Sequence, residues 1–366
     1  MTILRLTCGG EEAPYLLEAG ALSRAAEAIG PHLRGRRAFV ITDDTVGPLY
    51  GEALAESLGA PILALPTGED HKRWSSVDRA VRWLLGFGVE RGEVVVAVGG
   101  GVVTDLAGFV AAVTLRGLPW IGVPTTLLCM VDASVGGKTG IDLDLGKNLI
   151  GSFWPPRAVV ADPATLATLD RRQLRAGLAE VVKMGMIAPS ALEHPLERHL
   201  GAVAAGGLSG VAEVVHAAVR VKAEIVTADE RERGPRASLN LGHTIGHALE
   251  AATGYGPLLH GEAVSWGLLA ALSLGHRRGL LAEAEARGWL DRVGCLAPLP
   301  SIAGVSWEQL RPYVARDKKR EQGAVSWVLP RSGGVVMGVG VGEDEVAEVF
   351  ERLRAVPPAG PFAGVL

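Results

Sequence analysis

His243 and His247 stand four residues apart in Asn240-Leu-Gly-His-Thr-Ile-Gly-His-Ala-Leu-Glu250, and His260 follows in Leu258-Leu-His-Gly-Glu262. On a helix, residues i and i+4 share a face, with Cβ atoms roughly 5–6 Å apart. That is the spacing with which two imidazoles grip a divalent metal ion. Three of the nine histidines of the chain fall within this stretch, which favours a common task; the plain alternative is three histidines satisfied separately in the core or at the surface. Upstream, Gly177-Leu-Ala-Glu-Val-Val-Lys183 puts Glu180 and Lys183 at i and i+3 on one helix face. They form either an exposed ion pair or, given apolar neighbours on both sides, a buried one, and a buried carboxylate needs a partner or a metal.

A second kind of chemistry is suggested earlier in the chain. Val94–Val98 followed by Gly99-Gly-Gly-Val-Val-Thr-Asp105 has the order strand, glycine turn, helix. Glycines let the backbone approach a pyrophosphate, and a helix N-terminus supplies N–H donors. The spacing is not GxGxxG, so a tight turn without a ligand stays open. Asp43, at the end of an earlier strand, can accept from a ribose hydroxyl or cap a helix. Thr125 and Thr126, after Pro124, offer hydroxyls to the same crevice or shape a turn. Gly136-Gly-Lys-Thr139 and Gly146-Lys-Asn148 are glycine-rich segments of the kind that cradle anions. Neither has the GxxxxGK[ST] spacing of a P-loop, which argues against ATP chemistry.

These groups need a scaffold. Apolar runs at 37–42, 61–65, 93–98, 120–123 and 159–162 alternate with helical patterns at 48–58, 75–87 and 102–113, as in a parallel α/β sheet. From about residue 171 helical patterns dominate (172–187, 208–229, 239–253, 261–278, 282–293, 307–317), with strands only at 324–329 and 334–339. The expected organisation is an α/β Rossmann-like domain over 1–170 and a mostly α-helical domain over 171–366, with residues 357–364 as a loose tail.

Composition narrows the function. In 366 residues, 48% hydrophobic and 21% charged, a net charge of −4 offers no footprint for nucleic acid. Cys8, Cys129 and Cys295 form no CxxC pair, so a reduced, cytoplasmic chain is expected. The longest apolar stretch is broken by Pro119 and Pro124, so no membrane span is expected. Of 36 basic residues only seven are lysines: Lys72, Lys138, Lys147, Lys183, Lys222, Lys318 and Lys319. Lysine retained against such an arginine bias suggests sites that need a compact, strongly hydrated charge.

In series, Gly99-Gly-Gly…Asp105, Arg116-Gly, Val123-Pro-Thr-Thr-Leu-Leu, Asp132…Gly-Gly-Lys138-Thr, Gly146-Lys-Asn148-Leu-Ile-Gly, Ala179-Glu…Lys183, Asn240-x-Gly-His-x-Ile-Gly-His247 and His260-Gly-Glu resemble 3-dehydroquinate synthase, from about residue 37 to 330. The resemblance implies a Rossmann-like N-terminal domain, a helical C-terminal domain, NAD, a divalent metal (zinc or cobalt) and a homodimer. It implies conversion of the keto-acid sugar phosphate DAHP to 3-dehydroquinate and phosphate, the second step of the shikimate pathway. NAD oxidises the C5 hydroxyl, phosphate leaves by β-elimination, the ketone is reduced again, and an intramolecular aldol closes the ring.

The resemblance also assigns residues. The metal would be held by Glu180, His243 and His260, an open catalytic set. His247, Lys138, Lys183, Glu232 and Asn240 would be catalytic, with His247 handling protons and phosphate. The substrate would meet Arg116 (from a neighbouring subunit), Lys138, Asn148, Lys183, Lys222, Arg236, Asn240, His247 and Lys319 of Asp317-Lys-Lys319. NAD would meet Asp43, Glu69, Lys72, Gly99, Gly100, Gly101, Asp105, Thr125, Thr126, Asp132, Lys138, Lys147 and Thr168. The rival readings are another sugar phosphate cyclase, of the 2-deoxy-scyllo-inosose or 2-epi-5-epi-valiolone type, a metal-dependent polyol dehydrogenase of the glycerol dehydrogenase type, and an inactive NAD-binding sensor.

Overall fold

A computed structural model describes residues 2–8, 11–316 and 325–366. The chain divides into two units, Met1–Leu169 with Lys222–Glu230, and Asp170–Val221 with Arg231–Leu366. The short segment from Lys222 thus groups with the N-terminal unit although it lies far along the chain.

Among the described residues, nine strands belong to the first unit: β1 (Thr2–Cys8), β2 (Glu11–Leu17), β3 (Ala38–Asp43), β4 (Ile62–Leu65), β5 (Val94–Gly99), β6 (Trp120–Pro124), β7 (Lys138–Leu143), β8 (Gly146–Phe153) and β9 (Ala158–Ala161). Seven form one sheet in the order β1-β2-β9-β6-β5-β3-β4. All its pairings are parallel except β1 with β2. Its middle is apolar on both faces because it is covered on both. Val94, Val96 and Val98 belong to one core with Ala25, Ile29 and Leu33 of α1 (Ala25–Leu33) and Leu54 of α2 (Glu52–Leu58). Val95 and Ala97 belong to the other, with Val77 and Leu84 of α3 (Trp74–Gly86) and Leu106 and Phe109 of α4 (Gly101–Val113). This is the two-residue period of a strand read as two cores.

Residues 2–8 and 11–17, given no element by sequence reasoning, form the antiparallel pair β1–β2 at the sheet edge. The glycine-rich segments around Lys138 and Lys147, expected as loops, are the antiparallel pair β7–β8. Their glycines serve strand approach: a Cβ on Gly140 would lie 2.5 Å from the Ile150 oxygen, and one on Gly151 2.2 Å from the Thr139 oxygen.

The second unit is built from α5 (Arg171–Ile187), α6 (Pro189–Ala204), α7 (Val211–Ala228, whose end groups with the first unit), α8 (His243–Ala252), α9 (His260–Arg277), α10 (Glu283–Gly294), α11 (Trp307–Arg316) and α12 (Glu343–Ala355), with the hairpin β10 (Val325–Arg331) and β11 (Gly334–Val341). Helix α9 is its centre and is buried from Gly261 to Gly275. Its neighbours approach at glycine. A Cβ on Gly261 would lie 1.8 Å from the Ala176 oxygen of α5, and one on Gly267 1.7 Å from the Gly242 oxygen that precedes α8. The segment 357–364, expected to be loose, is docked. Phe362 is buried with its ring 5.9 Å from Trp266, and Ser273 Oγ donates to the Val365 oxygen at 2.6 Å. Two apolar anchors outweigh the prolines and glycines that suggested freedom. Among the described residues no helix is long and apolar enough to cross a membrane.

Candidate active site

Each unit carries one of the two expected constellations. In the second, α5 starts at Asp170, whose carboxylate accepts from the Arg172 N–H, and runs through apolar core, so Glu180 and Lys183 are sealed. The exposed ion pair is thereby excluded. The Lys183 ammonium lies against Glu180 Oε2, yet neither Glu180 oxygen accepts a well-formed hydrogen bond.

Two imidazoles face the other carboxylate oxygen. His243 Nε2 is 3.7 Å and His260 Nε2 3.6 Å from Glu180 Oε1, too long for hydrogen bonds. The far nitrogens are engaged: His243 Nδ1 with the Leu241 oxygen at 3.0 Å, His260 Nδ1 with Glu250 Oε2 at 3.0 Å. Carbonyl and carboxylate only accept, so both Nδ1 atoms carry protons and both Nε2 atoms face Glu180.

Burial alone would raise the Glu180 carboxyl, but Lys183 and the two imidazoles outweigh it and hold it well below the usual carboxylate range. Burial and then Lys183 hold His243 well below an ordinary imidazole. His260 goes the other way: burial opposes protonation, but Glu250 and Glu180 push it up to about 10.

His247 lies one turn on from His243, exposed, with its ring 5.1 Å from that of His243 and 6.0 Å from that of His260. By ligand-atom distances Glu180 groups with His243 and His260, while His247 groups with Glu250 and His260. The 3-10 turn Pro235–Asn240 leads into α8. It buries Arg236 and presents Asn240, whose Nδ2 donates to Glu232 Oε1 at 2.7 Å. Glu232 takes a left-handed φ of 56°, a conformation a non-glycine residue adopts at a cost.

In the first unit, β5 runs into Gly99-Gly-Gly101 and α4. A Cβ on Gly99 would lie 2.7 Å from Val103, so only glycine allows this strand-to-helix packing. No side chain caps the start of α4, so its first N–H groups are available to an anion. Nearby, Thr125 Oγ1 and Ser134 Oγ are buried without a hydrogen-bond partner.

Lys72 is buried and donates to Asp105 Oδ2 at 2.7 Å and to Asn148 Oδ1. Asn148, with φ 54°, donates its N–H to Asp142 Oδ1 at 2.7 Å. Glu69 lies 4.0 Å from Lys72 and 3.9 Å from Lys147. Burial raises the carboxyls of both Glu69 and Asp105, with Lys72 pulling against it in each.

Lys222 Nζ donates to Asp132 Oδ1 and to its main-chain oxygen, both at 2.6 Å. Thr168 Oγ1 lies 2.8 Å from the Tyr50 hydroxyl. Asp43 Oδ1 accepts from the N–H groups of Thr45 and Val46 at 2.9 and 2.8 Å, closing a local turn after β3. Thr126 Oγ1 accepts from Cys129 N–H.

Lys138 is exposed at the start of β7, and Arg116 is exposed in a turn where both it and Leu115 have positive φ. Lys318 and Lys319 lie outside the described residues. Sequence reasoning missed Asn148 as a partner of Lys72, the buried hydroxyl of Ser134 after the helical turn Cys129–Ala133, and Glu250 behind His260; only Glu250 had a signal, standing seven residues after His243 on the same helix face.

The comparisons agree with this geometry. The family profile described as 3-dehydroquinate synthase N-terminal matches residues 62–176, and that described as 3-dehydroquinate synthase C-terminal matches residues 177–320. A 3-dehydroquinate synthase of Rhodospirillum rubrum is 46% identical over 97% of this chain and 94% of its own. Among solved structures, a 2-epi-5-epi-valiolone synthase from Streptomyces hygroscopicus with NAD+ and Zn2+ bound is 32% identical, with a TM-score of 0.84 over 93% of this chain and 96% of its own. A 2-deoxy-scyllo-inosose synthase complexed with carbaglucose-6-phosphate, NAD+ and Co2+ is 25% identical, with a TM-score of 0.85 over 96% of this chain and 99% of its own. With both profiles matched in order and nearly half the residues shared with a full-length relative, the chain belongs to the 3-dehydroquinate synthase family.

Proposed function

We propose that the chain converts DAHP to 3-dehydroquinate and inorganic phosphate, with NAD held by the N-terminal unit and a divalent ion, zinc or cobalt, by Glu180, His243 and His260. The observation that carries this reading is the convergence of two Nε2 atoms on the one oxygen of a buried carboxylate that Lys183 does not cover and that accepts no hydrogen bond. Ligand atoms of a tetrahedral ion with bonds near 2.0–2.1 Å stand about 3.3 Å apart, so the two imidazole–carboxylate separations need to contract by only a few tenths of an ångström. The two unpartnered hydroxyls beside the glycine turn fit a cofactor with many polar groups in the same way. When bound, the ion would polarise the substrate hydroxyl and NAD would take and return a hydride.

The side chains account for the rest. DAHP carries a carboxylate and a phosphate, about three negative charges. Lys183 and Arg236, both buried, offer fixed cations in the unit that holds the histidines, and charge-assisted bonds tighten as charge develops on a leaving phosphate. Asn240, oriented by Glu232, leaves its carbonyl oxygen to accept from a substrate hydroxyl. His247 stands outside the Glu180 ligand set and is the imidazole that moves the proton as phosphate departs. The other expected anion-binding residues are Lys138, Asn148 and Lys222 of the N-terminal unit and Lys319, outside the described residues; Asp43, Glu69, Lys72, Gly99–Gly101, Asp105, Thr125, Thr126, Asp132, Lys138, Lys147 and Thr168 are the NAD set. The exposed Arg116 suits a homodimer in which it reaches the neighbouring subunit's substrate, and the unpaired Cys129 and Cys295 suit the cytoplasm.

A rival cyclase would act on a sugar phosphate without a carboxylate. The test is incubation with DAHP, NAD and Zn2+, following phosphate and dehydroquinate, with and without EDTA. Product that EDTA abolishes is expected. Turnover of glucose 6-phosphate or sedoheptulose 7-phosphate, with none of DAHP, would overturn the proposal.

A further inference from the structure

We propose that Glu250 is a positioning residue for the metal centre: its carboxylate holds the Nδ1–H of His260 and thereby commits Nε2 of that ring to the ion. The inference rests on the metal reading above. Glu250 is buried on α8, seven residues after His243 and so on the same helix face. Its Oε2 reaches the first residue of α9, 3.0 Å from His260 Nδ1. The opposite nitrogen then stands 3.6 Å from Glu180 Oε1, and an ion arriving there displaces the proton it carries.

The two imidazoles of the set are held unequally. His243 is backed by a neutral peptide carbonyl, His260 by a buried carboxylate. A carboxylate behind a metal-binding imidazole fixes its tautomer and orientation and raises its basicity as a ligand. His260 is thereby the stronger nitrogen donor, and Glu250 makes it so. The start of α9 has a second hold. Arg172 of α5 forks onto Glu262 at 2.6 and 2.8 Å, and Glu262 Oε2 also accepts the Leu259 N–H at 2.8 Å. Thus the helix that carries Glu180 and the helix that carries His243 each clamp the segment that carries His260.

A competing arrangement puts the ion on His247, Glu250 and His260, with Glu250 as a direct ligand. Glu180 Oε1 decides against it: an ion at Glu180 satisfies this oxygen, whereas an ion at Glu250 leaves it buried without a hydrogen bond.

The test uses the full-length protein, stripped with a chelator and titrated with Co2+. Affinity is read by chelator competition, geometry by the visible cobalt bands, and integrity by circular dichroism and NAD binding. Glu250→Gln should bind Co2+ about 10–100-fold more weakly, with altered bands but unchanged NAD binding; a merely structural role would not move the bands. Glu250→Asp, which keeps the charge on a shorter arm, should fall in between, and Glu180→Gln should lose more than either. Wild-type affinity in Glu250→Gln beside loss in Glu180→Gln overturns the role of Glu250 and leaves the metal reading standing. Wild-type affinity in Glu180→Gln overturns both. Loss in His247→Ala equal to that in Glu250→Gln makes Glu250 a ligand and overturns the inference. If Glu250→Gln does not fold, unchanged affinity and bands in Glu250→Asp overturn it.

Discussion

Glu180 and Lys183, one turn apart on α5, are both sealed from solvent, and the ammonium of one lies against the carboxylate of the other. Desolvating two charges is costly, and removing one partner of such a pair typically destabilises by about 3–5 kcal/mol because the other is left uncompensated. A divalent ion at Glu180 supplies the same compensation. Lys183→Met should therefore unfold at lower temperature than wild type when metal-free, and saturating Zn2+ should raise its Tm by several degrees more than it raises that of wild type. Thermal unfolding in EDTA and in Zn2+ measures both shifts. Equal metal-induced shifts would mean that Lys183 and the ion do not share Glu180.

Thr125 carries a buried hydroxyl with no hydrogen-bond partner beside the glycine turn. Replacing an unsatisfied polar group by an apolar one of the same shape is neutral or stabilising, whereas losing a bond to a ligand costs about 1 kcal/mol. Thr125→Val should keep or raise the Tm of the NAD-free protein and weaken NAD about 5–10-fold. Fluorescence titration with NAD reads the affinity. A destabilised variant with wild-type NAD affinity would remove Thr125 from the cofactor site.

Much of this was legible in the chain. The unbroken apolar run 94–98 announces a strand covered on both faces, and its glycines the packing against Val103. The β7–β8 hairpin was not legible, because Gly140 and Gly151 suggest a loop until the partner strand shows that any Cβ there would strike a carbonyl. The docked tail was hidden for a related reason: Phe362 and Val365 are held by Trp266 and Ser273, some ninety residues away. At the site, the i, i+4 spacing of His243 and His247 marked one helix face, whereas the potential ligand atoms around Glu180 group His243 with His260. Glu180 and His260 come from other helices, so spacing alone could not choose between His247 and His260. Three lysines of the sparse set, Lys72, Lys183 and Lys222, are buried and each faces a carboxylate, Asp105, Glu180 and Asp132. Counting lysines found the positions; only the fold shows that each is also part of an internal pair.

Arg37 and Glu93 lie just before the adjacent strands β3 and β5 and join them. Arg37 Nη2 donates to Glu93 Oε2 at 3.0 Å, and the Glu90 N–H donates to the same oxygen at 2.8 Å. The hydrogen bond from Arg37 lowers the Glu93 carboxyl, with burial opposing it. A carboxyl lowered in the folded state contributes stability that is full above its unfolded value, about 4.3, and is lost as pH falls through the folded one. Glu93→Gln should lower stability at pH 7 by about 1 kcal/mol, a modest figure because Arg37 is half exposed and screened. The difference from wild type should shrink as pH falls below about 4. Urea unfolding across pH 3–7 gives the curve, and a difference that does not vary with pH would rule out the charge as its source.

His247 shares a helix face with His243, but its ring is exposed and it stands outside the ligand set that includes Glu180. If it moves the proton while phosphate leaves, His247→Ala should retain one metal ion per chain and bind NAD normally. It should release phosphate about 100–10,000-fold more slowly, the usual contribution of general acid–base catalysis. Metal content by elemental analysis, together with single-turnover phosphate release, separates this role from ligation. Loss of the ion would move His247 into the coordination sphere, and an unchanged rate of phosphate release would leave the proton to another group.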